Sequence, residues 1–467
     1  MPTTTKERFK PYLLPEFCKG CGRCIDSCAK HCIEPGHEIN AQTGLLPVRI
    51  HLEECNACGL CIDACPEPYG LLPVPEEVDF ELLDPAKLFG ERRTTAPVPV
   101  RIPGEVIPLP KTEPMVLKGT YASAVGAILA GCRHVYGYPI TPSTEGAELM
   151  SKLLPKLDGI FLQAVSEVAT VNIMYGTGGA GLPCMTFTSS PGFSLMVEGI
   201  SYMVGAEVPA VFVNVMRGGP GLGNIAPEQA DVKLCCRGLG HGNTHGIVLA
   251  PSTPQEMLDL TMLAFELSFR YRNPVVIVSD GYLGQMTGRV TLPRTMLKPP
   301  LPEWAVYGDA MHRGNLISSI ELDEHDLEER NRQLNAKYAR IAETEQRADL
   351  YRAEDAETLL VSFGTPARMA KGAVRALRGK GVAVGLFRPV TLWPFPIDRL
   401  AALLPGLKRI VVVEASNGQL EDEMRLALSH TGLLHPKIEH LRHMGGVLPQ
   451  QSEIVELVLG RREEVMA

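Results

Sequence analysis

Short apolar segments alternate with helix-compatible segments along most of the chain that follows residue 113. The apolar segments predict strands over residues 135–138, 159–163, 184–188, 210–215, 246–250 and 274–279. The segment 210–215, Ala-Val-Phe-Val-Asn-Val, is almost free of polar residues, which is typical of a strand buried in a parallel sheet. This alternation predicts an α/β domain with a mostly parallel sheet over residues 113–298.

The same alternation begins again near residue 356 and continues to the C-terminus. Strands are predicted over residues 359–364, 382–387 and 409–413, with a helix over 367–378. Residues 356–467 are therefore predicted to form a second α/β domain of ordinary size. The connector between the domains, residues 299–355, contains a highly charged helical run over 324–350. A solvated helix is favoured for this run over an arm that packs on another chain.

The N-terminal part of the chain lacks this alternation. Residues 8–75 are dense in cysteine, and a module of this length has only a small apolar core. Residues 76–112 are punctuated by prolines, and the spacing from Pro97 to Pro110 suits an extended strap along a surface. We interpret 76–112 as a proline-rich linker between the module and the main body.

Composition narrows the class of protein. The 467 residues are 45% hydrophobic and 21% charged, which is ordinary for a globular protein. The formal net charge of −8 argues against nucleic acid as the main partner. No run of about 18 apolar residues and no apolar signal core are present, so no membrane span is expected. Thirteen cysteines indicate a reducing compartment, and we expect a cytoplasmic protein.

Eight cysteines stand in two copies of one spacing, Cys-x2-Cys-x2-Cys-x3-Cys, over residues 18–28 and 55–65. Three thiolates at this spacing bind three corners of one iron–sulfur cube, and the fourth cysteine reaches the other cube. Two 4Fe–4S clusters are therefore predicted, one held by Cys18, Cys21, Cys24 and Cys65, the other by Cys55, Cys58, Cys61 and Cys28. Disulfides and zinc sites are the alternatives, which the doubled spacing disfavours.

The cysteine module closely resembles the bacterial two-cluster ferredoxins. One departure is Ala29, which replaces the proline that usually follows the fourth cysteine of the first run. Cys32 lies outside both runs and is interpreted as a buried apolar residue rather than a ninth ligand. Because such clusters pass one electron at a time, the rest of the chain is expected to contain, or dock against, a source or sink of electrons.

Three stretches place polar groups at predicted strand ends, where open parallel sheets bind ligands. They are 138–143 (Tyr-Pro-Ile-Thr-Pro-Ser), Glu167 at the start of a helix, and 215–223, in which Arg217 precedes a glycine-rich turn. A guanidinium at such a turn is open to a bulky anion. Taken singly, each has a structural alternative: Thr141 as a helix cap, Glu167 as a surface charge and Arg217 as a member of an ion pair.

Taken together, these stretches match a known family. Residues 138–143, 188–196 and 217–223 closely resemble the α chain of 2-oxoacid:ferredoxin oxidoreductases, and 363–368 and 388–396 resemble its transketolase C-terminal-like domain. The resemblance runs from about residue 113 to the end. It implies an α/β fold with a ferredoxin-like α+β module, a thiamine-diphosphate pyrimidine-type domain and a transketolase C-terminal-like domain. The ferredoxin is usually a separate small subunit in this family, and the resemblance implies that it is fused here to the α chain.

The resemblance implies a thiamine-diphosphate enzyme that decarboxylates a 2-oxoacid, oxidises the remaining fragment in one-electron steps and transfers the acyl group to coenzyme A. By the family pattern, Glu167 hydrogen-bonds the aminopyrimidine ring of the cofactor. Thr141 and Arg217 match the positions that bind the carboxylate and keto group of the substrate. Cofactor contacts are also expected from Tyr138, Pro139 and Ile140.

Part of the expected cofactor site is missing from the sequence. Related enzymes hold the diphosphate through Mg²⁺ with a Gly-Asp-Gly motif, whereas Asp280-Gly281 lacks the first glycine and Gly308-Asp309 lacks the second. A β subunit is therefore expected to supply the diphosphate and metal half of the site. A γ subunit and an external ferredoxin are the other partners that the family implies.

The substrate and the role of the chain leave alternatives open. The run 218–227 looks more like the branched-chain or aryl 2-oxoacid type than the 2-oxoglutarate type, although His241 or His245 would serve a distal carboxylate. The alternative function is an electron-transfer or scaffold subunit without substrate chemistry. A single large chain of the indolepyruvate type is disfavoured by the missing diphosphate motif.

Overall fold

The computed structural model describes residues 9–40, 44–67, 70–73 and 104–461. The chain divides into two compact units, residues 1–91 and 92–467. Most of the predicted linker, residues 76–103, lies outside the described residues. The end of the predicted linker, Glu105–Pro108, forms a strand that pairs antiparallel with Thr295–Lys298 of the larger unit.

The first unit is built twice from one pattern. In each half a five-residue helix begins after a glycine in the left-handed conformation, Gly22 with φ 79° and Gly59 with φ 82°, which only glycine adopts at little cost. Two antiparallel strand pairs complete the unit, the first strand with the fourth and the second with the third. The elements are α1 Arg23–Ser27, α2 Leu60–Ala64, β1 Pro11–Leu13, β2 Ile33–Pro35, β3 Val48–Ile50, β4 Leu71–Pro73 and the 3-10 turn Pro15–Phe17.

The buried interior of the first unit contains few aliphatic side chains. Ile33, Val48 and Leu71 are buried there, and the other buried members of the cluster are the cysteines Cys24, Cys28, Cys32 and Cys61. An apolar core of this size contributes little folding free energy. Bound clusters are therefore expected to supply much of the stability of the unit.

The second unit carries the remaining elements. Its strands are β5 Glu105–Pro108, β6 Met115–Lys118, β7 His134–Gly137, β8 Ile160–Gln163, β9 Cys184–Thr188, β10 Val211–Met216, β11 Ile247–Leu249, β12 Val275–Asp280, β13 Thr287–Val290, β14 Thr295–Lys298, β15 Ala348–Tyr351, β16 Thr358–Val361, β17 Val384–Pro389, β18 Thr391–Trp393, β19 Arg409–Glu414 and β20 Lys437–Arg442. Its helices are α3 Gly119–Leu129, α4 Thr144–Leu153, α5 Glu167–Gly179, α6 Ser190–Ala206, α7 Val232–Arg237, α8 Pro254–Tyr271, α9 Gly281–Gln285, α10 Glu324–Thr344, α11 Gly364–Arg378, α12 Ile397–Ala401, α13 Gln419–Ser429 and α14 Gln451–Val458, with 3-10 turns Leu154–Leu157 and Leu404–Gly406.

The first sheet of this unit has seven strands in the order β18-β11-β12-β10-β9-β7-β8. Every pairing is parallel except that of β18 with β11. All residues of β10 and β12 are buried, as expected for central strands covered by helices on both faces. The predicted α/β fold with a mostly parallel sheet is confirmed.

Local chemistry sets the ends of the helices that flank this sheet. The side chain of Ser166 accepts a hydrogen bond from the backbone N–H of Ala169, so α5 begins with Glu167 in its first turn. The Thr253 side chain caps α8 in the same way, and Pro254 takes the first helical position. Gly126 lets α3 approach the backbone of Leu258 in α8, where a side chain would clash.

The second sheet has five strands in the order β15-β17-β16-β19-β20, parallel except for β15. The chain then crosses to the first sheet, because β18 follows β17 directly and pairs with β11. Arg388 in β17 donates two hydrogen bonds, of 2.7 and 3.1 Å, to the carboxylate of Glu256 in α8. We call the part built on the first sheet the N-terminal lobe and the part built on the second sheet the C-terminal lobe. The bidentate pair is buried on the arginine side and joins these two lobes.

The charged helical run departs from its prediction. The helix α10 ends at Thr344 and the chain then enters the strand β15, so the predicted helix to residue 350 is six residues too long. The helix also packs on the body: Leu334, Lys337, Tyr338 and Ile341 are buried, and Lys337 donates a 3.1 Å hydrogen bond to the carboxylate of Glu207. The interpretation of a solvated helix was wrong for this face, because one lysine in the charged run is neutralised by a buried partner.

Candidate active site and cluster sites

The predicted cluster ligands surround two cavities in the first unit. Cys18, Cys21, Cys24 and Cys65 line one cavity together with Lys19 and Val48. Cys28, Cys55, Cys58 and Cys61 line the other, together with Cys32. In each cavity, three thiols come from one run of the repeat and the fourth from the other. This exchange of the fourth cysteine between the two sites is the arrangement that two cubic clusters require.

The thiols do not fit the alternatives. All thirteen cysteines are free, so disulfides are absent from the structure. Within the described residues, no three side chains of His, Cys, Asp or Glu converge closely enough to hold one metal ion. Four thiols around an open space are the arrangement that suits a cubic cluster.

Cys32 is buried, with 2% of its surface exposed, as expected of an apolar packing residue. It nevertheless belongs to the wall of the second cavity, where its Sγ lies 3.4 Å from the Sγ of Cys28. The second cavity therefore has five thiols around it, four of which stand in the repeated spacing. The repeat distinguishes the ligands from this neighbour, whereas burial does not.

We predict about eight irons per chain, because each cavity holds one four-iron cube. Cys32→Ser should leave the iron content unchanged, whereas Cys65→Ser should remove up to half of it. Iron and acid-labile sulfide analysis of the purified chain measures both. Loss of iron from the Cys32→Ser variant would show that Cys32 is a ligand.

Residues predicted for the active site lie along one edge of the first sheet. Thr141, Glu167 and Arg217 follow β7, β8 and β10 respectively, and these strands run parallel through β9. Carboxyl ends of parallel strands share one edge of the sheet, so the three residues share it too. Helix α6 begins at the same edge, between the positions of Glu167 and Arg217.

Glu167 lies against the first turn of α6. Its side chain is buried, with 5% of the residue exposed, yet no described residue donates a hydrogen bond to its carboxylate. Gly192 makes the space: any side chain there would overlap the Glu167 carboxylate and the Thr188 hydroxyl. The hydroxyls of Thr188 and Ser189 are also buried without a partner among the described residues. The Thr188 and Ser189 hydroxyls and the Glu167 carboxylate are thus polar groups without a partner in the described part of the chain, and they are suited to a polar ligand.

Arg217 connects the predicted stretch 138–143 with its own stretch, 215–223. Its guanidinium donates a 2.8 Å hydrogen bond to the Thr141 carbonyl and a 3.2 Å hydrogen bond to the Leu222 carbonyl. Its Nε is buried without a partner among the described residues. The backbone of Arg217 is held by Ser190, whose Oγ accepts from the Arg217 N–H at 3.1 Å. The guanidinium thus has donors left over at the sheet edge.

Two buried acidic residues support Arg217 and were not among the predicted site residues. Asp231 accepts hydrogen bonds from Ser190 and, at 2.9 Å, from Asn214 in β10, and burial raises its pKa. Glu228 accepts from the backbone of Gly219 in the glycine-rich turn. Neither residue stands in a recognisable motif: Asp231 acts through the side chains of Ser190 and Asn214, and Glu228 acts through a backbone N–H of the folded loop.

The remaining predicted cofactor residues form the rim of the edge. Tyr138 and Pro139 are exposed, and Ile140 is half-buried, with its carbonyl accepting the Ser143 hydroxyl. Thr141 is exposed, and its carbonyl rather than its side chain contacts Arg217. Together with Glu167 and the unpartnered hydroxyls, this edge fits a polar heterocycle such as the aminopyrimidine ring of thiamine diphosphate.

One of the two histidine candidates, His245, lies elsewhere. His245 precedes β11, so it sits at the amino edge of the parallel sheet, opposite Arg217. Its ring stacks on Trp393 with a centroid distance of 4.5 Å and contacts Tyr338 edge-on. Burial lowers its pKa, which favours the neutral ring. His245 is therefore a packing residue, and the suggestion that it binds a distal carboxylate of the substrate was wrong.

Neither incomplete metal motif forms a metal site among the described residues. Asp280 caps α9 by accepting from the backbone of Tyr282 and Leu283, and it also accepts from Thr365. Asp309 pairs with His312 at 2.7 Å. Both carboxylates are engaged by groups of this chain.

Family models match nearly the whole described chain. Residues 125–352 match the thiamine-diphosphate-binding model of pyruvate flavodoxin/ferredoxin oxidoreductases, and 356–454 match core domain II of pyruvate:ferredoxin oxidoreductase. Residues 17–68 match the 4Fe–4S dicluster domain. A ketoisovalerate oxidoreductase subunit, VorB, from Methanothermobacter thermautotrophicus is 46% identical over 344 residues, which span 73% of this chain and 96% of that protein.

The chain belongs to the 2-oxoacid:ferredoxin oxidoreductases. It is a thiamine-diphosphate-dependent enzyme subunit with a fused 4Fe–4S dicluster domain. A quarter of this oxidoreductase chain has no counterpart in the archaeal relative, as expected for a fused module. Its relatives are named as subunits, so it works with partner chains.

Two further relatives extend the comparison of this oxidoreductase. The 2-oxoglutarate synthase subunit KorA from Methanocaldococcus jannaschii is 35% identical over 74% of the chain and 99% of that protein. A solved 2-oxoglutarate:ferredoxin oxidoreductase from Magnetococcus marinus, with 2-oxoglutarate, coenzyme A and succinyl-CoA bound, superposes with a TM-score of 0.68 at 25% identity. The matched region spans 75% of this chain and 65% of that one. No helix in the described part of the chain is long and apolar enough to cross a membrane.

Proposed function

We propose that this chain is the α subunit that supplies the pyrimidine half of the active site and oxidises a branched-chain or aryl 2-oxoacid. The buried Glu167 carboxylate, without a donor among the described residues, carries the proposal. A β subunit brings the diphosphate and Mg²⁺ half, and a γ subunit completes the complex. The acyl group goes to coenzyme A, and the two clusters pass electrons to an external ferredoxin. The predicted boundaries at 113, 298 and 356 remain part of this proposal.

Exposed apolar side chains near Glu167 and Arg217 support a partner at this edge. Val165 is 87% exposed and Leu222 is 83% exposed, and Val168, Leu195 and Tyr138 are also exposed. Apolar groups gathered around a polar site mark an interaction surface. The missing half of the cofactor site gives that surface a specific occupant, the β subunit.

Substrate class follows from the surroundings of Arg217. The guanidinium is suited to the carboxylate of the 2-oxoacid, while Leu222 and Ile225 give the neighbouring loop an apolar, exposed surface. His245, a candidate for a second carboxylate, lies at the other edge of the sheet. The ketoisovalerate relative is also more similar than the 2-oxoglutarate relative, at 46% against 35% identity.

In this proposal each residue has one task. Thiamine diphosphate, when bound, would supply the nucleophilic carbon for the keto group and an electron sink for the decarboxylation. Glu167 holds a proton at the aminopyrimidine nitrogen that faces it. Arg217 orients the substrate carboxylate, so that the bond to be broken is fixed relative to the cofactor. The apolar rim excludes water once the partner covers it.

The test is a panel of 2-oxoacids with the assembled complex, coenzyme A and a viologen acceptor. We expect the highest kcat/KM with 2-oxoisovalerate or an aryl 2-oxoacid. A preference for 2-oxoglutarate would overturn the substrate class. Absence of turnover with every 2-oxoacid, despite full cofactor content, would instead favour the electron-transfer or scaffold role.

The isolated chain should bind thiamine diphosphate weakly, because its own residues offer only the pyrimidine side. Titration calorimetry with Mg²⁺ should give a dissociation constant above about 100 μM for the chain alone. The complex should bind the cofactor at least about tenfold more tightly, a difference in binding free energy of about 1.4 kcal/mol. The assembled complex is the control. Micromolar binding to the chain alone would show that the diphosphate site is present here.

A further inference from the structure

We propose that Glu228 is a positioning residue that fixes Arg217 relative to the C-terminal lobe. This inference deepens the proposed function and rests on it. Glu228 is 4% exposed and has no place in the family motifs that the sequence displays. Its two carboxylate oxygens accept hydrogen bonds from two different loops. Oε2 accepts from the Gly219 N–H at 2.9 Å, and Oε1 accepts from the Gly445 N–H at 3.0 Å.

The first of these loops carries the arginine. Arg217 forms a β-bridge with Pro227, and the Gly218 N–H donates to the Ala226 carbonyl at 3.0 Å, so residues 217–227 make a closed loop. Glu228 directly follows the bridge and also binds Gly219 inside the loop. Because the loop is closed on itself, a shift at Glu228 is transmitted to the backbone of Arg217.

The second loop belongs to the C-terminal lobe. Gly445 follows the strand β20, and its carbonyl accepts a 3.0 Å hydrogen bond from the Asn224 side chain. Gly446 also fits directly against Ala226, where any side chain would overlap it. Gln229, the residue after Glu228, forms hydrogen bonds with the carbonyl of Phe363 and with both backbone groups of Ala415. The segment that follows Arg217 is therefore seated on three loops of the other lobe.

This arrangement predicts how Glu228 affects catalysis. A carboxylate satisfies both N–H groups, whereas a glutamine has one acceptor oxygen and presents its NH2 group to the other donor. Glu228→Gln thus keeps the size of the side chain and opens one side of the connection. Since Arg217 binds the substrate carboxylate before and during the reaction, loss of its position weakens ground-state and transition-state binding alike.

The experiment uses the assembled complex and compares Glu228→Gln with Glu423→Gln. Glu423 is a matched control: it is buried, joins the two lobes through a bidentate contact with Arg237, and does not touch the 217–227 loop. We expect Glu228→Gln to raise KM for the 2-oxoacid roughly tenfold with a much smaller change in kcat. Hydrogen exchange of the peptide over 217–227 should become faster. Glu423→Gln should change neither quantity.

Two results would overturn the proposal. One is an unchanged KM in Glu228→Gln, whatever the exchange rate; the other is an equal rise of KM in Glu423→Gln, which would mean general loosening of the lobes. If Glu228→Gln does not fold, Asn224→Ala removes the neighbouring connection at an exposed position and should raise KM in the same direction. Failure of the proposed function is visible separately, as absent 2-oxoacid turnover in the unsubstituted complex.

Discussion

Glu167→Gln should reduce kcat of the assembled complex by about a hundredfold to a thousandfold while leaving KM for the 2-oxoacid nearly unchanged. The glutamate is buried beside Gly192 and accepts no hydrogen bond from the described residues, so its carboxylate is available to a ligand. A glutamine has nearly the same shape but cannot hold a proton as a carboxylic acid does. The loss therefore falls on activation of the cofactor rather than on binding of the substrate.

Steady-state kinetics and cofactor analysis together test this prediction. Glu198→Gln is a suitable control, because Glu198 lies on α6 but is exposed, and its carboxylate accepts from the Tyr202 hydroxyl. It should retain the kcat of the unsubstituted complex. Thiamine diphosphate content should stay the same in both variants. If Glu167→Gln keeps full turnover, the assignment of Glu167 is wrong and the electron-transfer role gains support.

Much of the fold was predictable because its signals are local. The buried strands β10 and β12 are continuous apolar segments, and α5 begins where Ser166 provides a cap. The strand β18 was not predicted, because only the tertiary fold brings Thr391–Trp393 beside β11. The burial of one face of α10 was missed for a related reason: charge predicts exposure, but the buried pair of Lys337 with Glu207 offsets it.

The residues of the site also differ in how far they could be predicted from the sequence. Thr141, Glu167 and Arg217 were found because each follows a predicted strand, and parallel strands bring their carboxyl ends together. Asp231 and Glu228 were missed, because they act on backbone N–H groups and on a serine that are distant in sequence. His245 was a false candidate, since the residues before a strand lie at the wrong edge of the sheet. Sequence spacing therefore finds residues that face the ligand better than residues that position them.

Arg217→Ala should lower kcat/KM for the 2-oxoacid roughly a hundredfold or more, which corresponds to about 3 kcal/mol of lost transition-state stabilisation. The reason is that a charged hydrogen-bonding group is removed from a buried position. Arg217→Lys should recover only part of the loss. An ammonium is a single point charge, whereas the guanidinium bonds the Thr141 and Leu222 carbonyls and still has donors for a carboxylate. Both variants should retain the iron content of the unsubstituted chain.

Arg217 also stabilises the loop around it by hydrogen bonds to backbone carbonyls. The control must therefore be an arginine that makes similar hydrogen bonds but lies outside the active site. Arg133 meets this requirement, since its NH1 donates to the carbonyls of Ile128 and Cys132 at 3.0 and 2.8 Å. It precedes β7 and so lies at the opposite edge of the sheet. Arg133→Ala should leave kcat/KM within about threefold of the unsubstituted complex, since changes outside the site act on stability rather than on transition-state binding. Equal losses in the two alanine variants would mean that Arg217 contributes structure alone, and the substrate carboxylate would then require another partner.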